Sequence, residues 1–160
     1  MRSGCPAWFS PGARAGGCAV TLLEIVVARL AALCDDVLVV GLDAAHRAPV
    51  PAVAVDDIVP ERGAIGGLYT GLMQMRRDYA LVVASDMPFL NASLLRFMAS
   101  LPRDYDALIP RVEIHVEPLH GIYSRRCTLA IEEVLAAGGM RIVDFFDAVE
   151  VRYLEENEWR

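Results

Sequence analysis

Lysine is missing from this chain altogether: all 15 basic side chains are arginine, set against 21 acidic ones, for a formal net charge of −6. A nucleic-acid surface relies on clustered cations that neutralise phosphates, so the acidic balance and scattered arginines exclude that class. Cysteine is scarce: Cys5, Cys18, Cys34 and Cys127 form no C-x-x-C pair. That scatter reads as reduced thiols in a cytoplasmic setting, not as a disulfide frame. His46, His115 and His120 lack the spacing of a zinc site. Long apolar runs are missing too, although 55% of the residues are hydrophobic. None reaches the ~18 uninterrupted apolar residues of a membrane span; Glu24, Arg29 and Asp86 interrupt or end the richest stretches. Near the start, Pro6, Ser10, Pro11, Gly12 and Arg14 break up any signal-peptide core. The expectation is a soluble cytoplasmic protein.

What is present suits one α/β domain, since 160 residues is close to the common domain size. Residues 1–20 are rich in Gly, Pro, Cys and Arg without a period, and read as an irregular or poorly ordered segment. From residue 21 the pattern sharpens. Thr21 and Glu24 have capping-box spacing ahead of Leu22, Ile25, Val26, Arg29, Leu30 and Leu33, which recur at helical spacing. Residues 37–40 read as a strand buried on both faces, and residues 52–55 as a short apolar segment. A helix over 64–75 carries Gly66, Gly67 and Gly71. Residues 80–84 are the clearest strand, and Asn91 is placed to cap a helix over 92–101. Further strands are expected at 107–109, within 114–123 and at 149–153. Helices are expected at 142–146 and from a Ser124 cap to about residue 137, where Gly138-Gly139 stops it. Strand and helix alternate at βαβ lengths, which predicts a mainly parallel sheet.

Ligands of such sheets bind at the carboxyl ends of the strands. That rule selects Asp56-Asp57, Asp86 and the loop around Gly63–Gly67. Asp86 follows a run of apolar residues and precedes Met87-Pro88, which stops the strand. A carboxylate there can hold Mg2+, which takes one or two carboxylates plus substrate phosphates, or it can cap the turn. Asp57 divides between ligand contact and ordinary turn chemistry. The segment Gly63-Ala64-Ile65-Gly66-Gly67 brings a helix N-terminus toward a ligand or packs the helix closely; it is neither a P-loop nor a G-x-G-x-x-G fingerprint. Arg111, Glu117 and His120 are weaker candidates. His120 either meets a phosphate or is a satisfied, partly buried histidine.

Taken together, these segments resemble the molybdenum cofactor guanylyltransferase family. The pieces occur in the family's order: Thr21-Leu22-Leu23-Glu24 onward, Asp56-Asp57, Gly63 through Gly71-Leu72, Ser85-Asp86-Met87-Pro88-Phe89-Leu90, Glu117-Pro118-Leu119-His120, Tyr123, and Arg141 through Phe146. The resemblance implies a three-layer α/β/α, Rossmann-like nucleotidyltransferase fold of the glycosyltransferase-A type. It implies transfer of GMP from GTP to molybdopterin, with release of pyrophosphate. By it, Asp86 is the catalytic carboxylate that binds nucleotide and Mg2+, Asp57 contacts the nucleotide, and Gly66 and Gly67 line the base pocket. Arg111, Glu117 and His120 fall on the acceptor side. Cofactor-synthesis proteins or molybdoenzyme chaperones are the implied protein partners; nucleic acid and membrane are not. The family's Gly-rich Arg/Lys signature and its C-terminal Asn-x-Asn-Thr element have no counterpart, so the expected domain spans 21–160, shortened at both ends. An impaired guanylyltransferase, a cytidylyl- or other nucleotidyltransferase, and a non-catalytic relative all remain open on these residues.

Overall fold

The first helix, α1 (Leu22–Ala31), opens on the expected reciprocal cap: the Thr21 hydroxyl accepts from the Glu24 amide at 3.2 Å, and the Glu24 carboxylate accepts from the Thr21 amide at 2.7 Å. Two amides that a helix start leaves unpaired are thereby satisfied. The computed structural model describes residues 21–42 and 51–159, so the irregular segment expected over 1–20 lies outside the described residues. After α1 come β1 (Leu38–Val40), β2 (Val53–Val55), α2 (Gly63–Gln74), β3 (Tyr79–Val83) and α3 (Ala92–Ser100). Then follow β4 (Ala107–Val112), β5 (His115–Val116), β6 (His120–Ser124), α4 (Cys127–Ala136), a 3-10 helix (Ile142–Ala148), β7 (Val151–Glu155) and α5 (Glu156–Trp159). No helix among the described residues is long and apolar enough to cross a membrane.

Strand direction decides which loops meet. β1 and β2 pair in parallel as a two-stranded sheet. In the five-stranded sheet, β3 and β4 both pair antiparallel with β6, so they share a direction, and β7 runs parallel to β4. The carboxyl ends of β3, β4 and β7 therefore lie at one edge, with the start of β6 among them. The reversed strand follows from the connections. β4 turns into β5 through Glu113, at φ 55°, and β5 turns into β6 through a Glu117–His120 turn. Neither link is long enough for the helical crossover that parallel neighbours need.

Side chains alternate across this sheet, and the alternation sorts them into two cores. Ala107 and Ile109 of β4 and Tyr123 of β6 pack with Ile65, Leu68 and Leu72 of α2, with Ile131 of α4 and with Phe145. The intervening Leu108, Ile122 and Leu154 pack with Val26 of α1 and with Leu95 and Met98 of α3. Helices thus cover both faces in an α/β/α arrangement. Arginines close several helix ends, where carbonyls lack intrahelical donors. Arg125 donates to the carbonyls of Leu72, Met75 and Arg77 after α2, and Arg103 donates to Ala99 and Leu101 after α3.

Two local expectations change. Ser124 does not cap α4; the N-cap is Arg126 and makes no side-chain cap bond. The ladder holds Ser124 in β6, opposite Tyr79, and its amide donates to Asp106 at 2.7 Å. Its hydroxyl accepts the Arg126 amide instead. β1 is half-buried, not buried on both faces; Leu38 packs against the core that α2 shares, and β2 pairs with the strand in the sheet plane.

Gly121 sits where no side chain fits: a Cβ there would lie 2.8 Å from Ile109 Cδ1 and 3.1 Å from the Leu108 carbonyl oxygen. Overpacking of this kind costs about 1–3 kcal/mol. Gly121→Ala is expected to lower the urea midpoint correspondingly at unchanged m-value; an unaltered midpoint would show that β4 and β6 yield freely.

Candidate active site

The edge where β3, β4 and β7 end is assembled by register. Val83, the last residue of β3, lies opposite His120, the first of β6, and just beyond them the Ala84 amide donates to the Leu119 carbonyl at 3.1 Å. The two loops that the sequence marks, Ser85–Leu90 and Glu117–His120, are thus joined side by side. The chain then turns tightly, with the Met87 amide bonding the Ala84 carbonyl at 3.3 Å. Leu90 is buried beside Val26, and its carbonyl accepts from Arg29 of α1 at 3.0 Å.

Within this anchored turn, Asp86 is exposed and its carboxylate has no hydrogen-bond or ion-pair partner among the described residues. Capping of α3 falls to Asn91, whose Oδ1 accepts from the amides of Ser93 and Leu94. Both Asp86 oxygens are consequently available to a ligand. A lone free carboxylate fits Mg2+, whose remaining positions are ordinarily filled by water and substrate phosphate. Among the described residues no three His, Cys, Asp or Glu side chains cluster, so the donor set does not resemble an all-protein metal cage.

Asp57 is placed differently. Its Oδ1 accepts from the Thr70 hydroxyl at 2.7 Å and the Val59 amide at 3.1 Å, while the same hydroxyl accepts from the Ile58 amide at 3.0 Å. Thr70 is fully buried on α2. This network pins the loop after β2 onto α2; Oδ2 makes no hydrogen bond among the described residues. The adjacent glycines divide. A Cβ on Gly66 would meet the Val59 carbonyl at 2.9 Å, so Gly66 lets the loop close on the helix. A Cβ on Gly67 meets nothing within 4 Å, so Gly67 leaves open space in front of α2.

Arg111 already has a partner. It pairs with Glu155, opposite it on β7, and its guanidinium lies 4.5 Å from the Tyr153 ring centroid. The bond to Glu155 raises its pKa further. Glu117 is exposed and contributes backbone bonds, its amide to the Pro110 carbonyl at 3.1 Å and its carbonyl to the His120 amide at 3.0 Å. His120 is half-buried, and its Nε2 is buried with no hydrogen-bond partner among the described residues. Burial pushes its imidazole below the usual value, and the nearby Glu117 charge opposes that shift.

Sequence reasoning passed over Thr70, which holds the loop after β2, and gave Arg29 only a place in the helical period. It assigned no face to Phe89, whose side chain is 91% exposed, because periodicity gives none inside a turn. A mainly apolar cavity of about 190 Å3, lined by Leu33, Tyr79, Leu95 and Arg103 among others, sits at the opposite end of β3 from Asp86.

A three-layer α/β/α sheet with a carboxylate exposed just beyond a strand end is an arrangement that a nucleotidyltransferase-type domain shares. The chain belongs to the family of the MobA-like NTP transferase domain, whose model matches residues 14–151. A molybdenum cofactor guanylyltransferase of Desulfosudis oleivorans is 30% identical over 141 residues, covering 88% of this chain and 70% of that protein. The protein named probable molybdenum cofactor guanylyltransferase in Chloroflexus aggregans is 42% identical over 124 residues, covering 76% of this chain and 60% of its own length. Its counterpart in Pelotomaculum thermopropionicum is covered over 52% of its length, so the chain spans little more than half of some curated relatives. In three dimensions, the molybdopterin-guanine dinucleotide biosynthesis protein A of Archaeoglobus fulgidus superposes with a TM-score of 0.72 at 23% identity, over 86% of this chain and 71% of that one. The fold is that of the MobA-like nucleotidyltransferases.

The half-buried His120 imidazole carries a pH signature. Folding lowers its affinity for a proton below that of the unfolded side chain, whose value is near 6.5, so the unfolded state binds more protons and stability rises with pH through that region. The contribution is complete above about pH 6.5 and declines as pH falls toward the depressed folded value. Urea unfolding between pH 7.5 and 5 should show wild type losing more stability than His120→Gln. Parallel losses in both proteins would place the depressed group elsewhere.

Proposed function

We propose that the protein is a molybdenum cofactor guanylyltransferase, joining GMP from GTP to the terminal phosphate of molybdopterin and releasing pyrophosphate. The observation that carries this reading is the exposed Asp86 carboxylate, unengaged among the described residues, on a tethered turn at the edge of a MobA-like sheet. The names of its relatives supply the substrate pair. Asp86 is the residue that would hold Mg2+ and, through it, the nucleotide. When bound, Mg2+ neutralises the phosphate charge that grows as the leaving group departs. Asp57, oriented by Thr70, has Oδ2 left for the nucleotide, and the open space at Gly67 admits a base against α2.

In the transfer, an acceptor phosphate oxygen forms a bond to the α-phosphorus of GTP. The α–β bridging bond breaks, and its electron pair leaves with pyrophosphate. A phosphate monoester has its second pKa near 6, so the nucleophile is already anionic at neutral pH. The site then needs in-line placement more than a strong base. Cytoplasmic location is in keeping with Cys34 and Cys127, which form no disulfide among the described residues; burial pushes the Cys127 thiol up to about 12. The product would pass to cofactor-synthesis proteins or molybdoenzyme chaperones.

Isothermal titration of GTP with Mg2+ tests the reading. Asp86→Asn should weaken binding by at least about tenfold, roughly the 1.4 kcal/mol of one lost charge-assisted contact, while CTP binds wild type more weakly than GTP. Equal GTP affinity in both proteins removes the metal site, and a preference for CTP transfers the reading to a cytidylyltransferase.

A further inference from the structure

Asp57 is engaged through one oxygen only. Its Oδ1 takes both the Thr70 hydroxyl, at 2.7 Å, and the Val59 amide, at 3.1 Å, while Oδ2 makes no hydrogen bond among the described residues. Fastening the loop to α2 needs a single acceptor atom, and the amide oxygen of an asparagine would serve as well. The charge and the second oxygen are surplus to that task. Thr70 is fully buried, and its hydroxyl is used twice, accepting from the Ile58 amide at 3.0 Å and donating to Asp57. With its backbone at one end and Oδ1 at the other both held, the side chain leaves Oδ2 one place to stand. Chain direction puts this loop at the Asp86 edge. α2 ends at Gln74 and β3 begins at Tyr79, and Arg125 joins the two ends by binding the Leu72 and Met75 carbonyls with its side chain and the Asp78 carbonyl with its amide. From there α2 runs back along the strand, with Ile65, Leu68 and Leu72 in the core that Ala80 and Val82 also line. Its 12 residues span about 18 Å, and the 5 of β3 span about 17 Å. The first turn of α2 therefore stands level with the end of β3, and the Asp57 loop lies against it at Gly66 and Thr70.

On the transferase reading, we propose that Thr70 is the positioning residue for nucleoside recognition: by holding Asp57 Oδ1, it presents Oδ2 to an N–H or O–H donor of the bound nucleotide. A carboxylate oxygen accepts and does not donate. It therefore favours a donor, such as the N–H edge of guanine or a ribose hydroxyl, and disfavours an acceptor in the same place. The open space at Gly67 lies at this end of α2, while Asp86 at the same edge is left for the metal and the phosphates. Thr70 is buried and touches no ligand itself; it acts through Asp57. An unfastened carboxylate would lose its freedom when the nucleotide binds, whereas this one has lost it on folding, which strengthens the contact it makes.

The test is titration calorimetry of GTP, CTP and inorganic tripolyphosphate, each with Mg2+, against wild type, Thr70→Val, Thr70→Ser and Asp57→Asn. Thr70→Val removes the hydroxyl at nearly constant shape. It should weaken GTP about five- to tenfold, the equivalent of one hydrogen bond, and leave tripolyphosphate unchanged. Thr70→Ser keeps the hydroxyl and should restore GTP. Asp57→Asn should weaken GTP at least as much at an unchanged thermal midpoint, because its amide oxygen keeps the fastening and turns an NH2 donor outward in place of Oδ2. A loss shared by CTP assigns the donor to the ribose, and one confined to GTP assigns it to the base edge; either supports the proposal. An equal loss of tripolyphosphate, which loosened packing would cause, overturns it. So does GTP affinity that is unchanged in Thr70→Val or Asp57→Asn, or not restored in Thr70→Ser. Wild type that binds none of the three ligands overturns the transferase reading itself, a result distinct from any difference between the variants.

Discussion

The site depends on one backbone hydrogen bond, from the Ala84 amide to the Leu119 carbonyl. It extends the β3–β6 ladder one step past the last paired residues and so fixes how two loops, 35 positions apart in sequence, leave the sheet together. A single such bond contributes about 1 kcal/mol net, yet its value here is geometric. Slip the register by one residue and every side chain changes face. His120 would then leave the α1/α3 side, and Ile122 would leave its core. The close approach at Gly121, where β6 lies against Leu108 and Ile109, opposes that slip by leaving room for one alignment.

Charges at this edge are sorted by whether the fold has already engaged them. Arg111 is matched to Glu155 and stacked on Tyr153, Arg29 is committed to the Leu90 carbonyl, and Asp57 has given one oxygen to Thr70 and Val59. Asp86 has given nothing among the described residues. An engaged group must break a bond before it can meet a ligand; a free carboxylate loses only its water. That difference, more than proximity, separates a residue that steadies the site from one that can bind in it.

Much of the architecture was legible in the chain. The Thr21–Glu24 cap, the Asn91 cap, the apolar run before Asp86 and the Gly138-Gly139 stop are local devices whose cause lies within four residues, so they read directly. The family pattern likewise follows from motif order. The misreadings have a common origin. Ser124 looked like a cap until the ladder held it in β6, and β1 looked doubly covered until its neighbours could be counted.

By itself, then, the sequence determined the α/β class, the helix starts and the placing of Asp86 just beyond a strand, because these rest on period, capping and chain stops. Tertiary structure alone decided which carboxylates are engaged, which glycine packs and which opens, that a histidine nitrogen is buried and that Phe89 faces water. Those outcomes turn on partners brought from distant segments: Thr70 to Asp57, Glu155 to Arg111, Leu119 to Ala84. No local spacing encodes them, since contact between remote residues is set by the register of the sheet and the packing of helices on its two faces.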